Sequence, residues 1–301
     1  MLGRYTAILV SVVLTFLGST GVYGAAGPWS ETDHGAVRLV AATNSVGSGE
    51  SLTLGLLFRL KKGWKVYWRS PGDAGFPPQP NWSGSRNLEN MSVDWPRPIR
   101  FDVQGLTTLG YKDEVVLPLA AKLFEPGKAV TVTARVRYLT CNEICVPYEA
   151  KLALALPSGP ETTAIEAGLI ARYAALVPRK GAAVGLTVTQ ARVDGPPGKQ
   201  ILRVAANSTA SGTPELLVEG PPGFRFAPPR LERRDGGTVF LAAISPPYKS
   251  VSEGKPADLV GSSLTLTLLT KDRAVEQSVL VTKGLTALPQ KATGPPPAPM
   301  K

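Results

Sequence analysis

The chain has 301 residues, room for two domains of ordinary size, and its 31 glycines and 28 prolines against eight Phe, eight Tyr and five Trp favour short strands over long helices. The formal net charge of +10 comes from scattered Lys and Arg, without the clustered basic and aromatic elements that nucleic-acid recognition uses. Nucleic acid is therefore set aside as a partner; solubility and attraction to an anionic membrane surface are plainer uses of the charge.

Arg4, the apolar run Ala7–Leu17 and the small residues Gly18–Ala26 have the order of a secretory signal. The run is short for a membrane span. Residues 1–26 are expected to be removed, leaving an exported chain that begins near residue 25–27. Val37–Ala42 and Leu52–Leu60 then read as strands, with a turn at Asn44–Gly49 and a stop at Lys61–Gly63. Trp64–Trp68 follows. Residues 69–83 are too rich in Pro and Gly for helix or central strand. Trp64, Tyr67, Trp68 and Phe76 can be sandwich core or an aromatic cover over a reactive site. Asn90–Pro98, Phe101–Leu106 and Leu109–Pro118 are further extended segments. Ala129–Leu139 and Tyr148–Leu156 are long strands on either side of the cysteines.

Pro157–Pro160 closes this part. Thr162–Val177 carries Ile165, Leu169, Tyr173 and Leu176 at helical spacing, and Pro178 stops it. Short strands return at Leu186–Val193, Ile201–Ala205, Pro214–Val218, Val239–Ile244, Leu264–Thr270 and Val275–Thr282. The expected fold class is all-β: two antiparallel sandwiches, 27–158 and 182–290, joined by a helix-containing linker at 159–181, with a Pro-rich tail at 291–301.

Both cysteines, Cys141 and Cys145, lie between the two long strands, three residues apart. A straight strand would hold their Cα atoms about 13 Å apart, whereas a disulfide needs roughly 7 Å or less. The chain must turn, and Asn142-Glu143-Ile144 can be the hairpin loop, with the cysteines facing each other across its neck. Pro147 lacks an N–H, which puts the return strand at an edge or beyond a bulge. An exported pair can be a redox-active dithiol, a structural bridge or a soft-metal site. Arg135 and Arg137 would lower a cysteine pKa if they reached it, and Glu143 would oppose the thiolate. Tyr138 and Tyr148 are candidate wall residues or core. His34 is the sole histidine, which leaves little basis for zinc, and no nucleophile elbow or phosphate loop is present.

The run Val136-Arg-Tyr-Leu-Thr-Cys-Asn-Glu-Ile-Cys-Val-Pro-Tyr-Glu149 resembles the cysteine-bearing segment of the exported N-terminal region of the DsbD-like transmembrane disulfide reductases. The segment Gly63–Pro78 and Val93-Asp-Trp-Pro-Arg-Pro98 strengthen the resemblance, which is closest to the ScsB branch linked to suppression of copper sensitivity. It implies immunoglobulin-like sandwiches and a periplasmic electron relay without a cofactor. A membrane-embedded reductase domain would reduce Cys141–Cys145, and the dithiol would then reduce an exported thioredoxin-fold protein, a disulfide isomerase or a peroxiredoxin. The catalytic roles fall on Cys141 and Cys145, with Cys145 attacking; Trp68, Phe76, Tyr138 and Tyr148 are the candidate cap or pocket. The better known DsbD domain has five residues between its cysteines, so its cap geometry does not transfer directly. The resemblance also implies transmembrane helices and a terminal thioredoxin domain outside these residues, either in a longer protein that tethers this region to the inner membrane or in a partner of which this chain is a separate subunit. The alternatives are a binding module with a passive bridge and a Cu(I)-binding module.

Overall fold

A computed structural model of the chain describes residues 24–209, 212–234, 237–247, 253–254 and 257–284. Most of the expected signal segment and the whole Pro-rich tail lie outside the described residues. The first part contains β1 (Ser30–Thr32), β2 (Gly35–Ala41), β3 (Ser51–Leu60), β4 (Lys65–Gly72), β5 (Gln79–Asn81), β6 (Asn90–Val93), β7 (Ile99–Val103), β8 (Leu106–Lys112), β9 (Glu114–Lys122), β10 (Val130–Cys141) and β11 (Cys145–Leu156). One sheet has the order β1-β2-β3-β9-β6, the other β11-β10-β4-β8-β7, with β5 on β10. Strand alternation builds the core between them. Val130, Val132, Ala134, Val136 and Tyr138 of β10 meet Leu54, Leu56 and Phe58 of β3 and Val115, Leu117 and Leu119 of β9.

The extended segment expected to end at Pro118 is two strands. Asp113, with φ 61°, turns the chain between β8 and β9. Pro118 sits inside β9 because its carbonyl, and hence its nitrogen, faces Asp94, just past the last pair of β6 at Val93. No ladder N–H is needed there.

The helix α1 (Ala167–Ala174) is shorter than the sixteen-residue segment expected. Ile165 stands 93% exposed, outside the helix. The buried residue is Ile170, which packs on Val40, Leu57 and Val116 on the outer face of the first sheet. Gly55 makes room: a Cβ there would lie 2.6 Å from Val116 and 3.4 Å from Ile170.

The second part contains β12 (Arg179–Lys180), β13 (Leu186–Asp194), β14 (Ile201–Ser208), β15 (Glu215–Glu219), β16 (Arg225–Phe226), β17 (Arg230–Arg234), β18 (Gly237–Ser245), β19 (Ser263–Leu269) and β20 (Ala274–Lys283). Their order is β15-β19-β20-β13-β14-β18-β16. β20 changes neighbours along its length, pairing antiparallel with β19 through Leu280 and then parallel with β13 from Val281. That parallel join departs from the wholly antiparallel pattern expected. Leu186, Val204, Phe240, Leu266 and Val281 lie in this second core. The two parts are in contact. Leu217 and Leu269 join the first core, and Arg97 donates to the carbonyls of Thr270 and Lys271 at 3.0 and 2.7 Å. Arg100 donates to Glu215 at 2.8 Å.

Candidate active site

β10 and β11 run in register from Val130–Leu156 to Cys141–Cys145, so alternation fixes where each cysteine points. Val136, Tyr138 and Thr140 are buried on the core side. Cys141 is on the other face. The turn Asn142–Ile144 is closed by Asn142 N–H donating to the Ile144 carbonyl at 3.0 Å. The Cα atoms of Cys141 and Cys145 are 4.1 Å apart and their sulfurs are bonded. β11 is the edge strand of its sheet, which accommodates Pro147.

The two sulfurs have unlike surroundings. Cys141 is 0% exposed, whereas Cys145 is open to solvent beside Ile144, itself 63% exposed. Tyr67, also 0% exposed, lies over Cys141. Neither Tyr67 nor Cys141 belongs to any of the core clusters. The Tyr67 hydroxyl donates to Cys141 Sγ at 2.9 Å and lies 3.5 Å from Cys145 Sγ. Burial pushes the phenol pKa above its ordinary value, so it stays protonated and available as a donor.

The Pro/Gly segment after β4 forms a strap across this face. It starts at Gly72, which pairs with Thr108 of β8, and ends in β5, which pairs with Arg135–Arg137 of β10. Gly75, at φ +91°, presses on the Tyr67 ring, where a Cβ would come within 2.3 Å of Cζ. Only glycine permits both the conformation and the approach. On the other side, the Phe101 ring centroid is 6.2 Å from that of Tyr67, and Lys65 Nζ is 5.1 Å from the Phe101 ring. Gln104, in the tight turn between β7 and β8, donates to the Glu143 carbonyl at 2.8 Å and ties down the hairpin tip.

The expected cover residues divide differently. Trp68 and Tyr138 are turned into the core, and Tyr148 packs half-buried against it. Tyr148 bonds His34 Nδ1 at 2.6 Å, and the His34 ring stacks on Trp64 at 3.5 Å. These groups serve the opposite face from the disulfide. Phe76 is half-buried in the strap, next to Gly75. Arg137 is bonded to Gln79 at 2.9 Å and Arg135 to Glu149 at 3.3 Å, both several residues down β10 from Cys141. Tyr67, grouped in the sequence with Trp64, Trp68 and Phe76 as core or cover, differs from Trp68 by one residue of strand phase. Placing Val66 and Trp68 in the core would have put Tyr67 on the cysteine face. Among the described residues, no group of three His, Cys, Asp or Glu side chains is disposed to hold a metal ion.

Residues 36–157 match the family model described as thiol:disulfide interchange protein DsbD, N-terminal. The matched span includes both cysteines, Tyr67 and the strap, so the first part of the chain is similar to that family over the whole site. Residues 176–284 match a model described as a domain of unknown function, DUF8393. In three dimensions the chain is similar to the N-terminal periplasmic domain of ScsB from Proteus mirabilis, with 23% identity and a TM-score of 0.69. That likeness covers 87% of this chain and 100% of the other, and it carries the two-sandwich fold. No curated protein sequence matches the chain at a significant level. No helix among the described residues is long and apolar enough to cross a membrane.

Proposed function

We propose that the chain is a periplasmic thiol–disulfide exchange module that cycles Cys141–Cys145 between disulfide and dithiol, working as a protein-disulfide reductase component. The observation that carries this reading is the asymmetry of the bridge: one sulfur faces solvent, and the other is buried under a hydroxyl donor. A purely structural bridge has no need of that division.

The chemistry follows from it. In the loading half-reaction, a donor thiolate attacks exposed Cys145 Sγ. The S–S bond breaks and its electron pair leaves on Cys141 Sγ, where Tyr67 O–H is placed to stabilise the thiolate. A second donor thiolate attacks the donor sulfur of the mixed disulfide, releasing Cys145 as thiolate and the donor as a disulfide. Protons from solvent complete the dithiol. In delivery, Cys145 attacks the acceptor's disulfide. Cys141 then attacks Cys145 Sγ, re-forms the bridge and releases the acceptor thiolate, which takes up protons to become a dithiol. Two electrons enter from the donor in loading and two leave to the acceptor in delivery. Both halves use the same division of roles, with the outer sulfur meeting the partner and the inner one leaving or resolving.

The donor in this reading is a membrane-embedded reductase domain of the same or a companion chain, and the acceptor an exported thioredoxin-fold protein. The apolar N-terminal run Ala7–Leu17 supports export, and the similarity to a periplasmic ScsB domain supports the compartment. Trapping tests the roles. Reduced Cys141→Ser protein, mixed with an oxidised thioredoxin-fold protein, is expected to accumulate a mixed disulfide through Cys145, and Cys145→Ser protein is not. Equal trapping by both variants would overturn the assignment. Full electron transfer by either would overturn a two-cysteine relay.

A further inference from the structure

β4 is interrupted where it runs beside β8. Tyr67 pairs with Gly110 and the next pair is Gly72 with Thr108, so Trp68–Pro71 bulge from the ladder without partners on β8. A bulge re-aims the side chains around it and needs other contacts to fix its shape. Trp68 supplies one by sinking into the core. Arg69 supplies the other from outside. It donates to Glu219 at 3.0 Å from Nε and 2.6 Å from Nη2, and Nη2 also donates to Glu276. Its guanidinium carbon lies 4.6 Å over the Trp68 ring. All three charged side chains are largely withdrawn from water, at 25%, 20% and 17% exposure. Both carboxylates belong to the second domain, on β15 and β20. A planar guanidinium held by two carboxylates fixes direction as well as distance. The clamp sits two residues after Tyr67 and three before the start of the strap. Asp73 secures the next point, accepting from Thr107 N–H at 3.0 Å.

We propose that Arg69 is a positioning residue for the disulfide, through which Glu219 and Glu276 of the second domain hold Tyr67 against Cys141. The second domain is then part of the site's machinery. This rests on the reading of Cys141–Cys145 as a working dithiol.

Titration of Cys141 alone, by thiolate absorbance in Cys145→Ser protein, tests the coupling. Tyr67→Phe is expected to raise the midpoint by about one unit or more, a tenfold loss of thiolate below it. Arg69→Met and the isosteric pair Glu219→Gln/Glu276→Gln are expected to give most of the same shift, with near-ultraviolet circular dichroism unchanged. Tyr67→Phe/Arg69→Met is expected to shift no further than Tyr67→Phe alone, because both act through one hydroxyl. Arg69→Lys, which keeps the charge and loses the fork, is expected to restore only part. The carboxamide pair keeps the test decisive if Arg69→Met does not fold. An unmoved midpoint in the clamp variants, additive shifts in the double variant, or an unmoved midpoint in Tyr67→Phe would each overturn the proposal. Reduction of the wild-type bridge by a partner dithiol is scored separately. Its failure would overturn the relay reading, while the titration still decides the coupling.

Discussion

Replacing Tyr67 by phenylalanine removes one hydroxyl and leaves the ring under Gly75 in place. In the oxidised protein little is lost, because a disulfide sulfur is a weak acceptor and leaves no strong group unsatisfied. Folding stability is expected to change by about 1 kcal/mol or less. The dithiol is different. When Cys141 carries a negative charge, the hydroxyl at 2.9 Å becomes a donor to an ion. Such a bond contributes about 1.5–3 kcal/mol, and one pKa unit corresponds to about 1.4 kcal/mol. Removing a donor from an anion raises its pKa, so the Cys141 thiol should rise by about one to two units. Below its midpoint the thiolate fraction falls roughly 10- to 100-fold. The assay is stopped-flow transfer from reduced protein to an oxidised thioredoxin-fold acceptor across pH. The limb set by resolution through Cys141 should move to higher pH, while capture through exposed Cys145 changes little. An unmoved profile in a folded variant would refute the role given to Tyr67.

Gly75→Ala places a Cβ against the Tyr67 ring at a positive φ, and is expected to cost about 1–3 kcal/mol in denaturant unfolding. The displaced strap should speed alkylation of reduced Cys141; unchanged stability and rate would mean the strap is not seated on Tyr67. Phe76→Ala is expected to speed reaction of the dithiol with small oxidants, and an unchanged rate with the fold intact would remove Phe76 as a shield. Burial pushes the Tyr138 phenol up to about 12, from 10.0. A raised folded pKa means the native state keeps its proton where the unfolded chain loses it. Its stabilising contribution is therefore complete below about pH 10 and is lost as pH rises from there through about 12. Denaturant midpoints that stay level over that window would contradict the burial of Tyr138.

The cysteine hairpin was legible because its parts are local. Two alternating strands, a three-residue loop and the reach of a disulfide leave one arrangement. Pro147 narrowed the return strand to an edge or a place beyond a bulge, and the strand is at the edge. The cover was legible only as a group of aromatic candidates, because Trp64–Trp68 carries large side chains on both parities. A one-residue choice of phase exchanges Tyr67 for Trp68, and only the packing of the two sheets makes that choice. Tyr138 was equally ambiguous until Phe58 met it edge-on across the core, with ring centroids 5.3 Å apart. The helix was overextended for a related reason. Ile165 fits the apolar stripe, but the turn at 165–166 precedes the helix, and the pocket beside Gly55 receives Ile170 instead. The clamp on Arg69 joins residues 150 and 207 positions apart, beyond the reach of any local pattern.

The equilibrium reduction potential of Cys141–Cys145 tests the central claim most directly, measured by thiol trapping of the exported chain in glutathione buffers. A relay predicts a reversible value between about −180 and −270 mV, among working dithiols. A value below about −300 mV would match bridges that the glutathione pool cannot reduce, and would contradict the account.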